Sequence, residues 1–501
     1  MTTDLETTRP NIVLLIDDQH RWDALGSVWR DAVSPSWLRS GPCPTTPHLD
    51  ELARTGVRFD GAVCTVPVCV PSRYSLVTGL RGHQTGVLSN SHYWPGQTPI
   101  ETLGDAAHRA GYTTASIGKM HWKPARAPAH HVPDKRGFDY RVTYDGVETD
   151  GPCDLSWADT ASQAAIDYRA SCAERFGAGG ENRAGYVGEV MPFDSTDLPD
   201  TWLAERARDY IVDHVGSGRE DPFLLIVSLD RPHPENVVPR DMADLVDPAT
   251  VALPPQLDPS AGITDHYLSE LRQAKDWIGM DADEMRTAVA RYLTNVTFVD
   301  RCFGTVLEAL DAAGLAGTTI VAMTSDHGEM LGEQGGCFTK YSLYESAIRV
   351  PLLLRWPGVT SPGTVDQNPV ELIDLMPTFL DAMGLPPRPE LPGRSLVAVD
   401  HDRDGDARFS ITEHYTPVSS PTAPRAQWAV RTRRFKLIER LSGESEFFDL
   451  RADPDELRNV IADSAYAGEL AELRRLALRE QMRNGEQYPA RAGTHTAVIR
   501  A

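Results

Sequence analysis

Four apolar runs in this 501-residue chain each stop at a charged or imidazole-bearing cluster, and that repetition constrains the fold more than composition does. Asn11–Ile16 runs into Asp17-Asp18, and Thr113–Ile117 into Gly118-Lys119-Met120-His121. Phe223–Leu229 runs into Asp230-Arg231-Pro232-His233, and Thr319–Thr324 into Ser325-Asp326-His327-Gly328. Near-continuous apolar runs of this length read as parallel strands buried on both faces. In open α/β sheets, sites form at the carboxyl ends of such strands. Taken singly, each cluster is bland, since an aspartate there usually caps a turn or helix. Repeated at one edge of one sheet, the clusters converge in space.

The segments between the runs carry helical signals. Helices are predicted from Pro47 to Gly56, over Thr102–Ala110, over Trp202–Val215, from about Met285 to Ala313, and over Val370–Met383. Further strands are predicted at Val57–Phe59 and Arg349–Trp356. The alternation argues for an α/β fold, a layered sheet with helices on both faces. Residues from about 125 to 199 and from 234 to 260 are dominated by Pro, Gly and charge, and read as loop-rich insertions around a pocket mouth. Leu385-Pro386-Pro387-Arg388-Pro389 reads as a linker. It divides a catalytic domain over 1–385 from a smaller α+β subdomain over 390–501. Strands there are expected at Phe409–Glu413, Trp428–Thr432 and Phe435–Glu439, and a helix at Glu469–Gln481.

One further stretch carries chemistry: Cys69-Val70-Pro71-Ser72-Arg73-Tyr74-Ser75-Leu76-Val77-Thr78-Gly79. Pro71 suits a first helical turn and Gly79 a helix end, so Cys69 is placed at a helix N-terminus, where free N–H groups attract anions. Arg73, one turn on, lies over the same side. Asp17, Asp18 and Asp326 offer hard oxygen donors suited to Ca²⁺ or Mg²⁺, and His327 keeps Mn²⁺ possible. Lys119, His121, His233 and Lys340 form the opposite half, cations or donors able to hold a tetrahedral oxyanion. A metal and fixed cations around one nucleophile suit attack at a sulfuryl or phosphoryl centre.

The formal charge of −22 argues against nucleic acid as a partner. It also weighs against long polyanionic substrates unless a local basic pocket overrides the global field. No run reaches the length of a membrane span, and Met1–Pro10 lacks the basic and apolar parts of a signal peptide, which points to the cytoplasm. Seven cysteines without metal-finger spacing fit a reducing compartment.

The string from Cys69 to Gly79 resembles the signature of the type I sulfatases, in the alkaline phosphatase superfamily. Asn11–Gly26, Gly118-Lys119-Met120-His121, Pro232-His233, the segment Ser325–Glu333 and Lys340 each resemble a further element of that family, from Asn11 to about Asn459. The resemblance implies an alkaline-phosphatase-like fold and a formylglycine made from Cys69 by a maturation enzyme. It implies one divalent metal, Ca²⁺ first, held by Asp17, Asp18, Asp326, His327 and the modified residue 69. In the implied mechanism the hydrated aldehyde at position 69 attacks sulfur, steadied by Arg73. Lys119, Lys340 and the metal neutralise charge, and His233 or Lys340 assists the leaving alkoxide. His121 then deprotonates the remaining hydroxyl to expel sulfate. Asn90 falls where relatives place a substrate contact. The substrate class is an organic sulfate monoester, small or carbohydrate. Two alternatives stay open: a formylglycine-dependent phosphodiesterase or phosphonate monoester hydrolase, and a metal-stabilised binding protein with an unmodified Cys69.

Overall fold

The computed structural model describes residues 9–31, 36–90, 100–121, 137–142, 155–177, 180–255, 265–397, 408–415 and 426–486. Strands β1 (Asn11–Asp18), β2 (Val57–Val63), β3 (Thr113–Gly118), β4 (Tyr140–Val142), β5 (Phe223–Pro232), β6 (Thr319–Ser325), β7 (Leu352–Arg355) and β8 (Thr364–Glu371) form one sheet. Their order is β4-β3-β5-β1-β6-β7-β2-β8. The five strands from β4 to β6 are mutually parallel, and β7 runs against both its neighbours. Central β1 pairs Val13 with Leu225 on one side and with Val321 on the other. The four runs that end in polar clusters are therefore adjacent, with their carboxyl ends along one edge.

The reason β1 reads as continuously apolar is visible in its packing. Ile12, Leu14 and Ile16 point into the core on one face, where the helix Cys69–Thr78 contributes Val70, Tyr74, Leu76 and Val77. Val13 and Leu15 point into the core on the other face, shared with the helices Pro199–Gly216 and Ala282–Ala312. Helices thus cover both faces. Truncating a residue such as Leu14 to Ala would cost about 2–5 kcal/mol.

A second sheet follows: β9 (Ser410–His414), β10 (Gln427–Arg431), β11 (Phe435–Arg440) and β12 (Glu446–Asp449), antiparallel in the order β12-β11-β10-β9. Ala429, Ile438 and Phe448 join the core of the large sheet. On the opposite face Ile411, Val430, Leu437 and Phe447 pack under Leu473 and Leu476 of the helix Ala467–Glu486.

Three stretches differ from the sequence reading. Val370 and Glu371 end strand β8 and do not begin a helix, which runs over Leu375–Ala382. The first five residues of that edge strand are exposed or only half-buried, so it lacks an apolar signal. Within the 125–199 insertion, Gln163–Phe176 is a 14-residue helix, started by Ser162 accepting from the Ala165 N–H. Its apolar stripe is weak because much of it is exposed. His266–Ala274 is likewise helical, capped by Asp265.

Candidate active site

The helix Cys69–Thr78 begins at Cys69 and ends at Gly79, whose φ of 67° is left-handed and whose missing Cβ would lie 2.8 Å from Met376. Its N-terminus meets the carboxyl ends of β1 and β6. The Cys69 sulfur lies 3.2 Å from His327 Nε2, 3.1 Å from Lys340 Nζ and 3.9 Å from Asp18 Oδ1. Burial and Asp18 push the thiol up, but Lys340, His327 and a hydrogen bond from His121 outweigh them and hold it well below a free thiol. Asn90 accepts from the Val70 N–H at 3.0 Å, so its side chain caps this same helix start.

Arg73 ties several of these strand ends together. Its Nε donates to Asp326 Oδ2 at 2.7 Å, Nη2 to Asp18 Oδ2 at 3.1 Å, and Nη1 to the Lys119 carbonyl and Ser228 Oγ at 2.7 Å each. Lys119 pairs with Asp18 at 2.8 Å and Asp230 at 2.6 Å. Burial works against its charge, but these two carboxylates raise its pKa well above that of a free lysine. Gly118 makes this approach possible: its φ is 103°, and a Cβ there would sit 1.8 Å from the Ser228 carbonyl oxygen.

Asp18, Cys69, Asp326 and His327 each offer a ligand atom, all within 4.8 Å of one another. Two ligands on opposite sides of a Ca²⁺ at 2.3–2.6 Å would be separated by about 4.6–5.2 Å, so this spacing fits one ion. The electrostatics fit too. Burial raises Asp326 to about 6, with Arg73 opposing and Asp18 adding to the rise, while Asp18 itself is held low. A divalent ion between these two carboxylates would offset the burial and mutual repulsion that raise Asp326. Asp17 stands beside the cluster. Its Oδ2 takes a 2.6 Å hydrogen bond from His20 Nδ1, and its buried Oδ1 finds no donor among the described residues. An orphaned buried carboxylate oxygen at this edge suits a metal ligand.

Lys340 faces the same sulfur from the other side. Its Nζ also contacts Gln19 Oε1 at 3.2 Å, His233 Nε2 at 2.8 Å and Glu181 Oε1 at 2.9 Å. His233 Nδ1 lies 2.6 Å from the Pro234 carbonyl, so Nδ1 carries the proton and Nε2 accepts from Lys340. Burial opposes the Lys340 charge, but Cys69 and Glu181 raise its pKa well above normal. His121 carries a left-handed φ of 55°, and burial holds its imidazole below the usual histidine range.

All the residues singled out from sequence gather here: Asp17, Asp18, Cys69, Arg73, Asn90, Lys119, His121, His233, Asp326, His327 and Lys340. Sequence reasoning passed over Glu181, Asp230, Gln19 and His20. Asp230 stood in a run already noted as a strand end, and its distance to Lys119 gives it a reason to be charged. Glu181 lies in the motif-free insertion and carried no signal. A cavity of about 700 Å³ opens above Cys69, Lys119 and His121, walled by the insertion through Trp157, Tyr168 and Arg169.

A family model described as sulfatase matches residues 10–385, and one for the C-terminal part of N-sulphoglucosamine sulphohydrolase matches residues 332–484. The chain is 29% identical over 461 residues to the ulvan-active sulfatase of Formosa agariphila, covering 91% of this chain and 78% of that protein. Its fold matches the phosphonate monoester hydrolase of Agrobacterium radiobacter with a TM-score of 0.75 at 22% identity, covering 95% and 96% of the two chains. A structure solved in complex with its substrate D-glucosamine-2-N,6-O-disulfate matches with a TM-score of 0.69 at 21% identity, covering 95% and 98%. No described helix is long and apolar enough to cross a membrane. With the sulfatase model spanning three quarters of its length and every strand-end cluster in place, the chain belongs to the sulfatase family.

Proposed function

We propose that this protein hydrolyses a carbohydrate sulfate monoester to the alcohol and inorganic sulfate, using a formylglycine made from Cys69 and one divalent ion. The observation that carries the reading is the Cys69 sulfur, held within 3.2 Å of both Lys340 and His327 at a helix N-terminus. In the mature enzyme that sulfur stands in for the hydroxyl oxygens of a hydrated aldehyde. Asp17, Asp18, Asp326 and His327 would hold the ion; the oxygen-rich set favours Ca²⁺, with Mn²⁺ or Mg²⁺ as substitutes. Bound there, the ion supplies Lewis acidity at a sulfate oxygen and the modified residue supplies the nucleophile.

The chain's own residues do the rest. Arg73 fixes both carboxylates and so the orientation of the ligand set. Lys119 and Lys340, fixed by carboxylate partners, are aimed at non-bridging sulfate oxygens and need no reorganisation as charge develops. The Lys340–His233 pair holds a proton beside the leaving oxygen, and His121, held neutral by burial, takes one from the nucleophile's hydroxyl. Aromatic side chains and Arg169 on the cavity wall suit a sugar ring with polar substituents, in keeping with the ulvan-active relative.

The phosphodiester or phosphonate reading draws support from the fold match to a phosphonate monoester hydrolase. Against it stands Lys119, a buried cation where a diester's second substituent would have to go. Mass spectrometry of the Cys69 peptide, from protein that cleaves 4-nitrophenyl sulfate, is the test. A peptide 18 Da lighter than its cysteine form would be roughly the aldehyde signature, by loss of H₂S and gain of O. Active protein with only unmodified cysteine would overturn the nucleophile.

A further inference from the structure

A second cavity, of about 730 Å³, shares no lining residue with the catalytic one and lies between the large sheet and the C-terminal sheet. It gathers five arginines, Arg349, Arg431, Arg433, Arg434 and Arg451, from three separate stretches of chain. Only two carboxylates line it, and both are already engaged. Asp60 pairs with Arg58 at 2.6 Å; Glu345 is shared by Arg431 at 3.0 Å, Lys436 at 3.3 Å and Arg349 at 3.6 Å, so one carboxylate serves three cations. Arg434 is taken by Asp449 at 2.7 Å, and Arg433 reaches only the neutral Gln367. Among the described residues the Arg451 guanidinium has no partner.

The inner pair points the same way. Arg349 and Arg431 are more than nine-tenths buried, yet Arg349 Nε and Arg431 Nη1 have no acceptor among the described residues. Burial and the neighbouring Arg431 press the Arg349 pKa down to about 10. Like charges packed together in a buried cleft, with spare donors, are stabilised by an anion. A net charge of −22 makes such a cleft exceptional in this chain.

We propose that this cleft is a second binding site, for tetrahedral oxyanion groups, distinct from the catalytic cavity. Forked guanidiniums match sulfate and phosphate geometry bidentately. Two sources share that chemistry: free inorganic sulfate or phosphate, and the sulfate groups of a longer sulfated saccharide of which another part occupies the catalytic cavity. The proposal does not require the sulfatase reading, since the site is defined by its arginines alone.

The test uses full-length protein, a fluorescein-labelled sulfated hexasaccharide followed by anisotropy, and fixed ionic strength. Arg433→Ala/Arg451→Ala alters exposed rim residues and should weaken probe binding at least about tenfold, given two lost charge-assisted contacts. Lys119→Ala should retain the cleft's share of binding. Turnover of 4-nitrophenyl sulfate by the arginine variant should match wild type, which separates this site's failure from failure of the catalytic reading. Arg433→Lys/Arg451→Lys, which keeps charge without the fork, should recover only part of the affinity. Millimolar inorganic phosphate or sulfate displacing the probe would assign the free ion as occupant. Displacement only by unlabelled sulfated saccharide would assign the polymer. Unchanged probe affinity in the Ala variant, or displacement by chloride as effective as by phosphate, would overturn the site.

Discussion

The floor and the wall of the catalytic cavity are built by different means. The floor is made of strand ends: Asp18 closes β1, Asp326 follows β6, Lys119 follows β3, and His233 follows β5. Each is fixed by ladder register and then by a second charge, as Arg73 ties Asp18 to Asp326 and Asp18 ties down Lys119. The wall comes from the insertion between β4 and β5, whose helix Gln163–Phe176 packs through few buried side chains. Glu181 is one place where the wall reaches into the floor, at 2.9 Å from Lys340. The floor should therefore govern chemistry and the wall substrate choice, and substitutions on each side can break that division.

The largest effect belongs to Asp326→Ala. It removes a proposed metal ligand and one of Arg73's two carboxylate partners together, leaving a buried guanidinium partly unpaired. Turnover of an aryl sulfate should fall by more than about 10³-fold, since the loss exceeds that of a single oxyanion donor. Elemental analysis should show bound divalent metal falling in parallel. Full metal occupancy in this variant would refute the ligand assignment.

Lys119→Ala comes next. Loss of one positioned oxyanion donor costs about 10²–10³ in kcat, and that loss should appear on sulfate monoesters. A phosphate diester has two non-bridging oxygens where a sulfate monoester has three, so the third partner is worth less to it. Both substrates carry one negative charge, so bulk electrostatics cannot produce the difference. Equal losses on matched sulfate and diester substrates would favour the phosphoesterase reading.

The same division explains what was legible in the sequence. Buried strands announce themselves as apolar runs, and a polar cluster at a strand's end is conspicuous against that background. Asp17, Asp18, Lys119, His121, His233, Asp326 and His327 were visible for that reason, and Cys69 with Arg73 because a long string resembled a family signature. Strand β8 was not visible because an edge strand with its first residues exposed carries no apolar signal. Glu181 was invisible for a deeper reason. Its meaning lies wholly in a contact with Lys340, far along the chain, and nothing local distinguishes it from the other acidic residues of the insertion. The arginine cleft shares that property, since its five members look like surface charge until the two sheets are brought together.

The smallest predicted effect probes the contact of Glu181 between wall and floor. In Glu181→Gln the Lys340 ammonium keeps a hydrogen-bond acceptor of the same shape but loses a negative neighbour. Burial lowers the Lys340 pKa; the Cys69 thiolate and then Glu181 raise it, and once residue 69 is the aldehyde Glu181 is the leading one of these two that remains. Removing one raising influence lets burial gain ground, so the Lys340 pKa falls. A lysine that must be protonated to serve the leaving oxygen is then lost at lower pH, and the alkaline limb of the kcat/KM profile moves to lower pH. At neutral pH the cost should be no more than about tenfold, since Lys340 remains charged there and one neutral hydrogen bond replaces a charged one. The acid limb should stay in place, because Glu181 itself is held below the usual carboxylate range, against burial, chiefly by Lys340. The measurement is a pH–rate profile of both proteins on one aryl sulfate. A shifted acid limb with an unmoved alkaline one would make Glu181 a proton donor or acceptor in its own right. An unchanged profile with a raised KM would make it purely a wall residue, and the separation of floor from wall would then be complete.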